Sequence, residues 1–306
     1  MERKHMNPSI FETNIFYLII GVLLLFLGGL VQSKEIYLGL IITEYLIILL
    51  PTITYLKARG YSLKKVLKLN KISAKEVALI FLIVIFSYPV GVFLNYLMIL
   101  LLSNFTELKP TPIPIPKSTW EYFLGLLVIS LSPGICEEVL FRGMVMSSYE
   151  KLGKKKAIII SAILFGIFHF NLQNLVGPIF LGIIFGFIAY KTNSLFSTMI
   201  AHGVNNSIAT TIAYLTMRNM DKISIESQDI GISMGSFATV LTIIVGFVIA
   251  IISGAIAYTL YKSLPDNSYE EDISFEEYTP RVVHYLPLLV VLVIFIIYNY
   301  MVLFVY

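Results

Sequence analysis

The sequence predicts an all-α, polytopic membrane protein, a bundle of about eight or nine transmembrane helices around a central cavity. Of its 306 residues 57% are hydrophobic and 13% charged, with a mean hydropathy of +0.84, far outside the range of a soluble domain. The apolar residues collect into nine long stretches, and a handful of strongly polar side chains persist inside them. Ionisable groups placed in a bilayer are expensive, so those survivors are candidates for function.

The nine stretches run over 15–31, 36–55, 77–102, 122–135, 157–170, 178–190, 195–215, 237–261 and 286–306. A span needs about 20 apolar residues, so six are adequate or nearly so, while the fourth, fifth and sixth are short or interrupted. Short segments are tolerated only where protein or a cavity covers them. The first stretch follows Arg3 and Lys4. Its length and close return through 32–35 predict a retained helical hairpin, not a cleaved leader. Ser132 followed by Pro133 is a helix-start signature, which predicts a helix opening within the membrane just before Glu137.

Basic residues set the orientation, because cytoplasmic loops carry excess Lys and Arg. With the N terminus inside, sixteen fall on inner segments and five on outer loops, with Arg142 set apart. This fits nine spans with the C terminus outside; eight spans with a re-entrant fifth or sixth segment is the alternative. The chain divides into 1–118, N-terminal spans with a basic inner loop; 119–215, the polar core; and 216–306, a two-helix extension with an acidic inner loop.

Several segments read on composition alone. The stretch 61–73 mixes apolar residues with Lys64, Lys65, Lys68 and Lys71, as in a helix lying on an anionic leaflet or a solvated basic loop. Residues 110–117 alternate prolines and read as a stiff outer linker, and 266–277 as a solvated acidic loop. Asn104 heads a glycosylation sequon that is a common chance match. The single cysteine, Cys136, excludes an intramolecular disulfide and reads as a small packing residue. Gly182 and Gly186 form a small-xxx-small pair that predicts close helix packing. No Gly-rich phosphate loop or nucleotide fingerprint occurs, and nothing points to nucleic acid.

Inside the stretches stand Glu44, Asn95, Glu137, Glu138, Arg142, His169, His202, Asn205 and Asn206, whereas His5 is in the N-terminal tail and His284 near a boundary. Counting 1.5 Å per helical residue from the nearest inner lysine puts Glu137, His169 and His202 roughly 21, 20 and 16 Å deep, so groups from three helices can meet. Glu138 and Arg142 are four apart and stack on one helix face, so the arginine holds Glu138 ionised. Glu137 points elsewhere and is the candidate base. His202 and Asn206 share a face, as do Phe165 and His169. A base, two imidazoles and an amide are the parts needed to activate water and stabilise the oxyanion of a hydrolysed amide. Glu44 and Asn95 have no partner that the sequence names and read as structural.

At these residues the chain resembles the CPBP intramembrane protease family, named for CAAX-processing and bacteriocin-processing or immunity proteins and also called Abi. Glu137, Glu138 and Arg142 match its E-E-x-x-x-R motif, Phe165 and His169 match F-x-x-x-H, and His202 and Asn206 match H-x-x-x-N. The resemblance covers about 122–215 and implies a helical membrane endopeptidase with an inner cavity. Glu137 would be the base with Glu138 beside it; His169 and His202 would position water or oxyanion, or bind metal; Asn206 would assist the oxyanion, with Arg142 and Phe165 in support. Members are usually classed as metalloproteases, and Glu137, His169 and His202 would suffice for a catalytic zinc. Direct glutamate-activated water needs no metal, and both readings stand. The implied partners are the lipid bilayer and a membrane-associated peptide or protein. The wealth of Ile and Lys reads as an AT-rich prokaryote, hence a plasma-membrane protein with a cytoplasmic N terminus that processes a leader or pheromone peptide or confers bacteriocin immunity. A non-proteolytic transporter or an immunity protein that only binds is the alternative, since buried acids and histidines also form ion relays.

Overall fold

The computed structural model describes residues 7–109, 114–220, 236–268 and 279–305, and every regular element among them is helical. His5, Lys222, prolines 110 and 112, and the acidic run beyond 268 lie outside the described residues. Nine rods follow the nine apolar stretches: α1 (Ile10–Lys34), α2 (Ile36–Ala58), α3 (Ala74–Leu102), α4 (Thr119–Leu152), α5 (Lys154–Phe168), α6 (Val176–Thr192), α7 (Leu195–Met220), α8 (Phe237–Ser263) and α9 (Val282–Val305). Their starts are written locally. Ser9 and Ser73 each form a capping box with a glutamate three residues on, Glu12 and Glu76, which satisfies two of the otherwise orphan helix-end donors.

Six rods are long and apolar enough to cross a membrane: α1, α2, α3, α4, α8 and α9. The fourth stretch is therefore not short. It continues through Glu137, Glu138 and Arg142 into a 34-residue rod, in which Glu138 and Arg142 are paired with each other inside the protein. Nor does a helix open at Ser132, whose predecessor Leu131 is already helical. The wide-wound turn over Leu126–Leu131 loosens the carbonyl ladder ahead of Pro133, and the Ser132 hydroxyl donates to the Leu127 carbonyl at 3.0 Å. Such local adjustments let proline sit inside a membrane helix. The fifth and sixth stretches are short, 15 and 17 residues, and α7 is long but carries His202, Asn205 and Asn206.

Segments expected on one side meet at one end of the bundle. Lys68 pairs with Glu150 at 2.6 Å, Asn70 reaches the Asn193 carbonyl at 2.7 Å, the Asn267 amide reaches the Lys191 carbonyl at 2.7 Å, and Arg59 pairs with Glu12. At the opposite end the Gln173 amide clasps both backbone groups of Lys109 at 2.8 Å, and Asn299 accepts from the Leu172 amide at 2.7 Å. Successive rods thus run in alternating directions through the bundle. The 61–73 segment lies on no surface as a helix: only Leu63–Val66 is helical, and Tyr61, Val66 and Leu67 are buried in the core. Burying those three apolar side chains against the bundle outweighs the membrane-surface alternative.

Small residues set the spacing at the centre. A Cβ on Gly182 would stand 2.9 Å from the Ala162 Cα and one on Gly186 2.8 Å from Ile158 Cγ2, so α5 and α6 touch along the predicted pair. Gly134 on α4 meets the backbone of α7, since a Cβ there would lie 2.9 Å from the Gly203 nitrogen and 3.0 Å from the Met199 oxygen. Backbone cannot yield as a side-chain tip can. Gly134→Ala is expected to destabilise the protein by about 1–3 kcal/mol, an overpacking cost, seen as a lowered unfolding midpoint in detergent; an unchanged midpoint would contradict this crossing.

Candidate active site

The α4–α7 crossing at Gly134 and Gly203 lies one turn from Glu138 and next to His202. It brings the acid of one rod onto the imidazole of the other. Glu138 Oε1 accepts from Arg142 Nη1 at 2.7 Å and from His202 Nδ1 at 2.9 Å, with all three side chains almost fully buried. The second guanidinium nitrogen of Arg142 donates to the Gly182 carbonyl at 3.3 Å, a contact opened by the close packing of α6. The guanidinium also lies over Phe165 and Phe185, 4.5 and 5.3 Å from their ring centres, which adds cation–π attraction.

His202 is held on every side. Phe185 stacks on it at 5.5 Å and Phe165 meets it edge-on at 5.6 Å. Because a carboxylate only accepts, Nδ1 carries the hydrogen and Nε2 keeps a free lone pair. That Nε2 faces Glu137 Oε2 at 3.9 Å. Glu137 is 8% exposed and its Oε2 has no hydrogen-bond partner. The separation is too long for a direct bond and suits one bridging water.

The remaining site residues sit at the margin. His169 caps the C-terminal end of α5, is exposed, and donates Nδ1–H to the Phe165 carbonyl at 2.9 Å. Its ring stands edge-on to Phe165 at 5.0 Å, so Phe165 is a wall shared by both histidines. Asn206 is half-buried; its amide donates to the Ile129 carbonyl at 3.2 Å and its oxygen accepts from Asn205 at 3.1 Å. One N–H of Asn206 remains to donate.

The donor set does not fit a resident zinc. A catalytic zinc takes three protein ligands and an open position, but no metal-holding group of three or more His, Cys, Asp or Glu side chains occurs among the described residues. His202 Nε2 faces Glu137 Oε2 at 3.9 Å, and His169 forms no such pair with either glutamate.

Two residues read as structural divide. Asn95 accepts from the Gly177 amide at 3.4 Å and is structural. Glu44, buried on α2, lies within hydrogen-bonding reach of Glu137. Its signal in the sequence is that it is the only carboxyl in its apolar stretch, which holds no Lys, Arg or His. Cys136 is a fully buried free thiol, as expected of a packing residue. Beyond Gly203 the gap between α3 and α4, floored by α7, holds an open apolar cavity of about 610 Å³ lined by Phe81, Leu131, Ile135, Met199, Val204 and Ile208 among others.

Residues 119–208 match the family model described as Type II CAAX prenyl endopeptidase Rce1-like. The chain is also 30% identical over 97 residues to the protein described as "Putative membrane peptidase YdiL" of Bacillus subtilis (strain 168), a match spanning 31% of this chain and 40% of that protein's length. No solved structure matches the chain at a significant level.

Losing one partner of the buried charge cluster leaves the other uncompensated. Arg142→Met is expected to destabilise the protein by about 3–5 kcal/mol. Arg142→Lys should recover little, because an ammonium cannot span Glu138 and the Gly182 carbonyl together. Unfolding midpoints of both variants check this; wild-type stability in either would contradict it.

Proposed function

Because the chain belongs, through residues 119–208, to the CPBP family of membrane endopeptidases, we propose that it hydrolyses a peptide bond in a membrane-associated peptide or protein by water activated at Glu137. The observation that carries this reading is the unpaired Glu137 Oε2 facing the free Nε2 of a fixed His202 across 3.9 Å. One water bound to both atoms donates a hydrogen to each and keeps its lone pairs free for the peptide carbonyl carbon. Glu137 takes a proton as the oxygen adds to the peptide carbonyl, then delivers it to the leaving amine as the tetrahedral adduct collapses.

Glu138 does different work. Like the carboxylate behind the histidine of a catalytic triad, it fixes the tautomer and orientation of His202. The spare N–H of Asn206 is the neutral oxyanion donor at hand, whereas His169, with its hydrogen on Nδ1, donates from Nε2 only when doubly protonated. The apolar cavity beside α4 suits a hydrocarbon-rich segment of the substrate, and a lipid-buried substrate reaches it without leaving the bilayer.

The test is cleavage of a membrane peptide by the purified protein in lipid. Glu137→Ala and His202→Ala are each expected to lower kcat by about 10²–10⁴-fold, the usual contribution of acid–base groups, and Asn206→Ala by about 10²–10³-fold, that of an oxyanion donor. Treatment with a chelator is expected to leave the rate unchanged. Full activity in Glu137→Ala would overturn the reading.

A further inference from the structure

A second carboxyl faces the proposed base from outside the matched segment. Glu44 is 5% exposed in α2, and its Oε2 has no hydrogen-bond partner. An ionisable group buried in an apolar stretch persists only if it is paired, and the group in reach is the Glu137 carboxyl. Two helices bring them together. The Tyr45 hydroxyl lies 3.3 Å from that of Ser132, which pins the register of α2 along α4. Around Glu44 the backbone is wound wide from Ile42 to Leu49, a local geometry that recurs at functional sites. Glu138 is turned instead to Arg142 and His202, which both hold its Oε1.

We propose that Glu44 is a positioning residue for Glu137: a carboxyl–carboxyl hydrogen bond from α2 fixes the Glu137 side chain in the orientation that turns one oxygen to His202. Two carboxyl groups make such a bond only when one of them donates, so the pair carries a hydrogen between them. Its catalytic consequence rests on the hydrolytic role of Glu137 given above; the pairing itself does not. The working site thereby extends beyond 119–208, and α2 becomes part of it.

The experiment has two arms on the full chain in lipid bilayers. Infrared spectra of the wild type, Glu44→Gln and Glu137→Gln read the carbonyl stretch of a protonated carboxyl; both substitutions are expected to shift or remove the same band. A band that answers to one substitution and not the other overturns the pairing. In the peptidase assay Glu44→Leu is expected to lower kcat by at least about tenfold with KM within about twofold, and Glu44→Gln, which keeps a donor at that place, to recover most of the rate. Glu44→Leu with wild-type kcat, or Glu44→Gln as impaired as Glu44→Leu at equal thermal stability, overturns the positioning role. A shared band in a protein that cleaves nothing would uphold the pair while the hydrolytic reading fails.

Discussion

The structure depends on one buried carboxylate, Glu138, held at once by Arg142 from its own helix and His202 from another. Taking such charges out of water costs several kcal/mol per ion, and only near-complete pairing offsets it. The pairing in turn dictates the packing. α4 and α7 must meet without side chains between them, which Gly134 and Gly203 allow, and α6 must offer a backbone carbonyl to the guanidinium, which Gly182 allows. The small residues and the charges are two halves of one constraint.

From it follows a division between neighbours. Consecutive residues on a helix diverge by about 100°, so adjacent glutamates cannot share a partner set. Glu138 turns to the arginine and histidine and has its charge neutralised there. Glu137 is left facing His202 Nε2 on one side and Glu44 on the other, with a free oxygen. A pair of identical residues thus splits into one that holds His202 and Arg142 and one that keeps an unpartnered oxygen.

Much of this was legible in the sequence, for physical reasons. Four-residue spacings within one helix fix which side chains share a face, so Glu138 with Arg142, Phe165 with His169 and His202 with Asn206 could be read directly. Nine apolar stretches announced nine rods because a bilayer imposes length. What lay between elements was not legible. Pro133 looked like a helix start because the widened turn that accommodates it has no sequence signature, and 61–73 looked amphipathic because a lysine-rich loop that plugs a bundle has the composition of one that lies on a membrane. The partner of Glu44 is far along the chain, and pairing across that distance is set by the rotation of α2 against α4. The outward place of His169 depends on where α5 ends, at Phe168. Motif spacing is silent on that.

The distribution of unspent hydrogen-bonding capacity separates a reaction centre from an ion pathway. A relay needs donors and acceptors continuing toward both faces of the membrane. Here Arg142, Glu138 Oε1 and His202 Nδ1 are consumed by one another, and Asn206 keeps one N–H after meeting Asn205 and the Ile129 carbonyl. Among the described residues of this core, the free capacity sits at Glu44, Glu137, His202 Nε2 and the second oxygen of Glu138, with Asn205 Oδ1 one turn away. Of these, Glu137 Oε2 and His202 Nε2 face each other at 3.9 Å, with Phe165 and Phe185 packed on the imidazole. A site of low polarity with its unsatisfied groups gathered at one point strengthens the field on whatever small polar group enters it. Such an arrangement suits holding and polarising a reactant better than passing an ion along, in keeping with the hydrolytic role proposed above.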